Sequence, residues 1–113
     1  MGDPVVREVD VRALAEARDA GAFVLDVREP YEFESEHLAG AVLIPMRSVP
    51  SRLDELPKGQ TVFVICRSGH RSMQVCQYLG ANGLDAVNVA GGMVAWSAAG
   101  LTESARPTET QTS

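Results

Sequence analysis

Three observations predict an α/β fold with a parallel sheet covered by helices on both faces. First, four short runs, residues 22–27 (AFVLDV), 41–44 (AVLI), 61–65 (TVFVI) and 86–89 (AVNV), are dominated by apolar and β-branched side chains. A strand with one wet face would alternate polar and apolar residues; these runs do not, so they suit strands buried on both sides. Second, helix-like stretches separate the runs, and strand–helix alternation is the pattern of parallel strands joined by crossovers. Third, 113 residues, 45% hydrophobic and 22% charged, hold one core and leave no room for another. A single domain is expected over residues 1–101. Among residues 101–113 only Leu101 and Ala105 are apolar, so residues 102–113 are expected to form a disordered polar tail.

Asp10 is a good N-cap for a helix over residues 11–20, with Val11, Leu14 and Ala15 on one face. Arg12, Glu16 and Asp19 take the opposite face, and Gly21 ends it. After the 22–27 strand, the polar residues 29–36 read as a helical turn or loop. Pro45 ends the 41–44 strand. Ser48 and Pro50 open a short helix whose Val49, Leu53 and Leu56 share a face. Pro57-Lys58-Gly59 turns the chain into the 61–65 strand, the clearest of the four. Residues 66–71 form a polar loop, a helix runs from about Ser72 to Ala81, and Asn82-Gly83 stops it. Past the 86–89 strand, Gly91-Gly92 is a turn. Residues 93–99 form the last helix, stopped at Gly100 and anchored in the core by Trp96.

Composition narrows the function. Ten basic against fifteen acidic residues, a net charge of −5, disfavours a general binder of nucleic acid or anionic membranes. No apolar run approaches the roughly 20 residues that span a bilayer. Met1-Gly2-Asp3-Pro4 carries acid and proline where a secretory signal carries base and a long apolar stretch. A cytoplasmic location is expected. Two cysteines, Cys66 and Cys76, are too few for a disulfide framework and lack zinc spacing. No metal and no cofactor are expected. A small enzyme or a binding module remains.

In parallel α/β sheets the active groups collect at the carboxyl ends of the strands, and Cys66 sits where the 61–65 strand ends. The segment Cys66-Arg67-Ser68-Gly69-His70-Arg71-Ser72 leads from that strand into a helix N-terminus, whose first amides have no helical partner. Gly69 allows a left-handed turn, so that successive amides can curl around one centre. Arg67 and Arg71 add positive charge. Each factor favours the thiolate, which is the nucleophile, and the same cradle suits an oxyanion leaving group. The plain alternative is a packed core thiol. The polar residues after Cys66 argue against that reading there; helical spacing from Met73 and proximity to Leu79 favour it for Cys76.

With this loop in place, the chain resembles the rhodanese (thiosulfate sulfurtransferase) family in its single-domain form, from about Val5 to Leu101. The resemblance rests on Asp26-Val27-Arg28, on Glu32-Phe33 with His37-Leu38-Ala39-Gly40-Ala41 and Ile44-Pro45, on the CRSGHRS loop, and on Asn88-Val89-Ala90-Gly91-Gly92 with Trp96. It implies a five-stranded parallel sheet flanked by helices. It implies that Cys66 takes up sulfane sulfur as a persulfide, with Arg67, Ser68, Gly69, His70 and Arg71 binding substrate. Donors would be thiosulfate or persulfides; acceptors would be cyanide, a thiol or a sulfur-accepting protein. Two alternatives stay open: a sulfur-carrier or regulatory module serving a protein partner, and phosphatase or arsenate reductase chemistry. Related phosphatases use C-x5-R, whereas Cys66 to Arg71 is C-x4-R, a loop one residue short. Ile65 also stands where such enzymes commonly carry histidine.

Other polar residues read as structural. Asp26 and Arg28, at a strand end, are expected to support the loop by ion pairing, since a buried carboxylate needs a partner. His37 reads as a hydrogen-bonded structural histidine. His70 is expected to face solvent and to contribute its backbone N–H.

Overall fold

The structure is a computed structural model that describes residues 5–101. Helix α1 (Val11–Asp19) begins where Asp10 accepts a hydrogen bond from the Ala13 amide at 2.9 Å, as its N-cap position requires. The apolar runs become β2 (Phe23–Asp26), β3 (Val42–Leu43), β4 (Val62–Ile65) and β5 (Ala86–Val89). Together with β1 (Arg7–Val9) they form one sheet in the order β1-β5-β4-β2-β3, every pairing parallel. Cys66 therefore stands at the end of the central strand.

Helices cover both faces, as expected. On one side Leu25, Val62 and Val64 pack against Val75 and Leu79 of α3 (His70–Ala81) and Val49 of a 3-10 segment (Met46–Glu55). On the other, Val24, Ile65 and Val89 meet Val11 and Leu14 of α1 and Met93 and Trp96 of α4 (Gly92–Ala98). Trp96 has no exposed surface, so it anchors the last helix in the core.

Four local features add to or change the sequence reading. Strand β1 has no counterpart in the residue-by-residue reading: it is three residues long, and Arg7 and Glu8 are exposed at the sheet edge. Residues 29–36 contain a true helix, α2 (Pro30–Ser35), which opens on Pro30 and has the Glu32 carboxylate accepting from the Glu29 amide at 2.9 Å. The segment after Pro45 is 3-10 and kinked at Arg52, with Pro50, which has no N–H to give, inside it. Helix α3 starts at His70 rather than about Ser72, because Gly69 at φ +104° turns the chain into the helix two residues earlier. His70 and Arg71 thus belong to its first turn, and the true loop is residues 66–69.

The expected tail, residues 102–113, lies outside the described residues. Among those described, no helix is long and apolar enough to cross a membrane.

Candidate functional site

Cys66 leaves the end of β4, and residues 67–72 wrap around its side chain. The Gly69 amide donates to Sγ at 3.1 Å and the Ser72 amide at 3.4 Å, while the Ser72 hydroxyl lies 3.3 Å away. The residue is 1% exposed, yet its sulfur sits among donors rather than in a purely apolar setting. Burial pushes the thiol up; hydrogen bonds from the Ser72 hydroxyl and from the Ser72, Gly69 and Ser68 amides outweigh it. The net result is a pKa below the ordinary cysteine value. Cys76, in α3, is buried with no such donor among the described residues. Burial, with smaller contributions from Cys66 and Glu8, pushes it up to about 12.

The loop holds this shape because its carbonyls are taken from behind. At the start of α4 the Met93 amide donates to the Cys66 carbonyl at 2.9 Å, and the Val94 amide to the Arg67 carbonyl at 3.0 Å. Peptides with their oxygens drawn toward α4 are free to turn their N–H groups toward the sulfur. This approach requires Gly92: a Cβ there would lie 2.4 Å from the Cys66 oxygen and 2.6 Å from that of Arg67. Asn88 adds a third tie, donating to the Gly69 carbonyl at 3.3 Å and to the Glu8 carboxylate at 2.8 Å. Sequence reasoning takes Gly91-Gly92 for a turn alone and assigns Ser72 no task. A hydroxyl six residues after the cysteine, inside a helix N-terminus, is the signal that could have marked Ser72.

The charged residues sort differently from expectation. Arg71 does not reach over the loop; its guanidinium forms a fork with Glu32 of α2 at 2.9 and 3.0 Å. That bond, against the opposing effect of burial, holds the Glu32 carboxyl at about 2. Glu32 in turn heads the causes that raise Arg71, to which the Cys66 charge also contributes. Asp26 and Arg28 are buried and pair with each other, Nη2 to Oδ2 at 2.8 Å, and Arg28 also donates to the Glu36 carbonyl at 2.7 Å. They tie β2 to the end of α2, not to the cysteine loop. Arg67 is exposed and, among the described residues, has no hydrogen-bond or ion-pair partner. His70 is exposed, with Nδ1 3.2 Å from the Ser68 hydroxyl. The His37 ring stacks on Phe33 at 3.8 Å, and its Nδ1 meets the Phe33 carbonyl at 2.8 Å.

Beside the loop lies a cavity of about 460 Å³, walled by Arg67, Met93 and Val94 on one side and by α2 on the other. Among the described residues, no three His, Cys, Asp or Glu side chains come together as a metal would need. The cradle can stabilise negative charge on Sγ, and on an atom bonded to it, with fixed amides and one hydroxyl.

The same arrangement of strand, loop and helix occurs in known proteins. The chain is 41% identical over 93 residues to a candidate sulfurtransferase, YtwF, of Bacillus subtilis (strain 168), covering 80% of this chain and 90% of that one. It is 37% identical over 100 residues to a sulfurtransferase of Allochromatium vinosum, covering 86% and 94%. Among solved structures it is similar to a rhodanese-like domain protein of Staphylococcus aureus, with a TM-score of 0.77 and 35% identity over 80% of this chain and 91% of that one. The family model for the rhodanese-like domain matches residues 10–99, from the N-cap of α1 to the end of α4, and so takes in the sheet core, the cysteine loop and the glycine pair behind it: the chain belongs to the rhodanese-like domain family.

Proposed function

We propose that this sulfur-transfer protein works as a sulfurtransferase in which Cys66 carries a sulfane sulfur as a persulfide. The observation that carries the reading is the convergence of the Gly69 amide, the Ser72 amide and the Ser72 hydroxyl on Sγ at the end of the central strand. In the loading step the Cys66 thiolate attacks the outer sulfur of thiosulfate. A new S–S bond forms, the S–S bond of thiosulfate breaks, and sulfite leaves with the electron pair. Discharge reverses the logic: cyanide or a thiolate attacks the terminal sulfur, and Cys66 departs as thiolate. No electrons are gained or lost overall, so the cycle calls for no redox cofactor or metal.

In this reading the amides of Ser72, Gly69 and Ser68 hold charge on the sulfur, and that of His70 serves departing sulfite. Arg67 attracts anionic substrates. Arg71 acts as a positioning residue, locking the first turn of α3 to α2 through Glu32. Asp26 and Arg28 set the far wall of the cavity by fixing the Glu36 end of α2. Phosphatase or arsenate chemistry fits less well, because an arginine that must embrace an oxyanion is here committed to a carboxylate. We take the cytoplasm as the working compartment, where thiols stay reduced.

Thiocyanate formation from thiosulfate and cyanide tests the proposal. Cys66→Ser is expected to abolish it and Cys76→Ser to retain most of it. A carrier that serves one protein partner would load in a single turnover but produce thiocyanate only slowly. Undiminished turnover in Cys66→Ser would refute the assignment.

A further inference from the structure

Asn88 is buried in β5, and both hydrogens of its Nδ2 are committed: one to the Glu8 carboxylate at 2.8 Å, the other to the Gly69 carbonyl at 3.3 Å. Its Oδ1 is buried too and has no hydrogen-bond partner among the described residues. Interiors rarely leave an acceptor in that state. Turning the amide over would not help, because Oδ1 would then face a carboxylate and a carbonyl, acceptor against acceptor. Of the two contacts the carboxylate is the stronger, since a charged acceptor makes a shorter and tighter hydrogen bond than a neutral one. Glu8 and Asn88 are register partners on β1 and β5, so their side chains stand side by side on one face of the sheet. Glu8 therefore decides which way the Asn88 amide faces.

Gly69 needs such a hold. Without a Cβ and at φ +104°, it is the loop residue most free to swing. Its amide and its carbonyl hang on one Cα, and the amide donates to Sγ of Cys66 at 3.1 Å. The carbonyl accepts from the Met73 amide at 3.2 Å, along the helix, and from Asn88, across from β5. Resting on the reading of Cys66 as the sulfur carrier, we propose that Glu8, an exposed residue of the edge strand β1, is a positioning residue for that site: its carboxylate holds the Asn88 amide with Nδ2 toward Gly69, and the Gly69 residue so fixed keeps its N–H on Sγ. The unpartnered Oδ1 is the consequence of that orientation. Glu8 thus favours a thiolate through two hydrogen bonds, although its own negative charge opposes one. The two effects have opposite signs, which makes them separable.

The test follows alkylation of the Cys66 peptide by uncharged iodoacetamide across a pH series, in wild type and in Glu8→Gln. Glutamine keeps the shape of glutamate but not its charge, and its amide can turn either end toward Asn88. Loss of the charge alone would lower the Cys66 inflection, since a negative neighbour disfavours the thiolate. Loss of positioning raises it. A rise of about half a unit is expected in Glu8→Gln, with sulfur uptake from thiosulfate at pH 7 slowed about threefold. Glu8→Ala should move both in the same direction. In an Asn88→Ala background Glu8→Gln should instead lower the inflection, because only the charge effect is left. Arg71 and Cys76, the other titratable groups that interact with Cys66, are the same in every variant. Glu8 is exposed, so its own variants decide the matter even where Asn88→Ala does not fold. A merely structural Glu8 would lower the melting temperature and leave the inflection in place. An inflection that falls or stays put in Glu8→Gln, with normal sulfur uptake, would overturn this proposal alone. Wild-type Cys66 that takes up no sulfur would overturn the reading it rests on, and this proposal with it.

Discussion

At the scale of single residues, Ser72 sets the state of Cys66, because its amide and its hydroxyl both approach the sulfur. Alkylation rates measured across a pH series should show a Cys66 inflection below the ordinary value of about 8.5. Ser72→Ala removes one hydrogen bond to a charged group, worth about 1.5–3 kcal/mol, and should raise that inflection by roughly one unit or more. An unchanged inflection would mean the amides suffice. Glu32 makes a second prediction. Its folded pKa of about 2 lies below that of an unfolded glutamate, so it stabilises the fold above about pH 4.3 and loses that effect as pH falls toward 2. Glu32→Gln should cost about 1–2 kcal/mol at pH 7, discounted for the partly exposed Arg71, and the difference should vanish near pH 2 in parallel denaturant titrations. The place of Cys66 at a strand end and the turn at Gly69 were readable from the sequence, since a polar, glycine-containing segment after a buried strand marks a tight strand-to-helix connection. The commitment of Arg71 to Glu32 was not. The two residues are 39 positions apart, and only the tertiary fold brings them together.

At the scale of elements, the start of α4 is what keeps the cysteine loop in shape. Gly92 combines φ +54° with an approach to two loop carbonyls that leaves no space for a side chain. Gly92→Ala must push α4 away from the loop. It should destabilise the protein by about 2–4 kcal/mol and weaken sulfur uptake at Cys66 as well. Thermal melts beside thiocyanate assays would check both; a fully active variant of normal stability would remove α4 from the site. Elements with a strong apolar pattern, such as α1 and β4, were predicted nearly residue for residue. Those missed share a physical reason. Strand β1 is short and half polar because it sits at an edge, and α2 has no fully buried residue. Neither leaves a hydrophobic period to read, and each is held by partners distant in sequence.

For the whole molecule, the all-parallel order β1-β5-β4-β2-β3 puts the cysteine loop over the middle of the sheet, with both cores complete beneath it. The sequence pointed to a parallel sheet covered on both faces because its runs lack alternation; the order of the strands was not contained in any run. Burial of Cys76 in that core has a measurable cost at high pH. An unfolded thiol ionises above about pH 8.5 while the folded one keeps its proton to about 12. The folded state therefore holds more protons, and Cys76 should erode stability by about 1.4 kcal/mol per pH unit in that interval. Cys76→Ala should remove this slope relative to wild type, in denaturant titrations between about pH 8 and 11. The central claim, that Cys66 anchors the transferred sulfur, is tested most directly by intact-mass measurement with peptide mapping after thiosulfate treatment. One added sulfur on the Cys66 peptide, lost on addition of cyanide and absent in Cys66→Ser, is the predicted result; sulfur mapped to Cys76, or retained in Cys66→Ser, would contradict it.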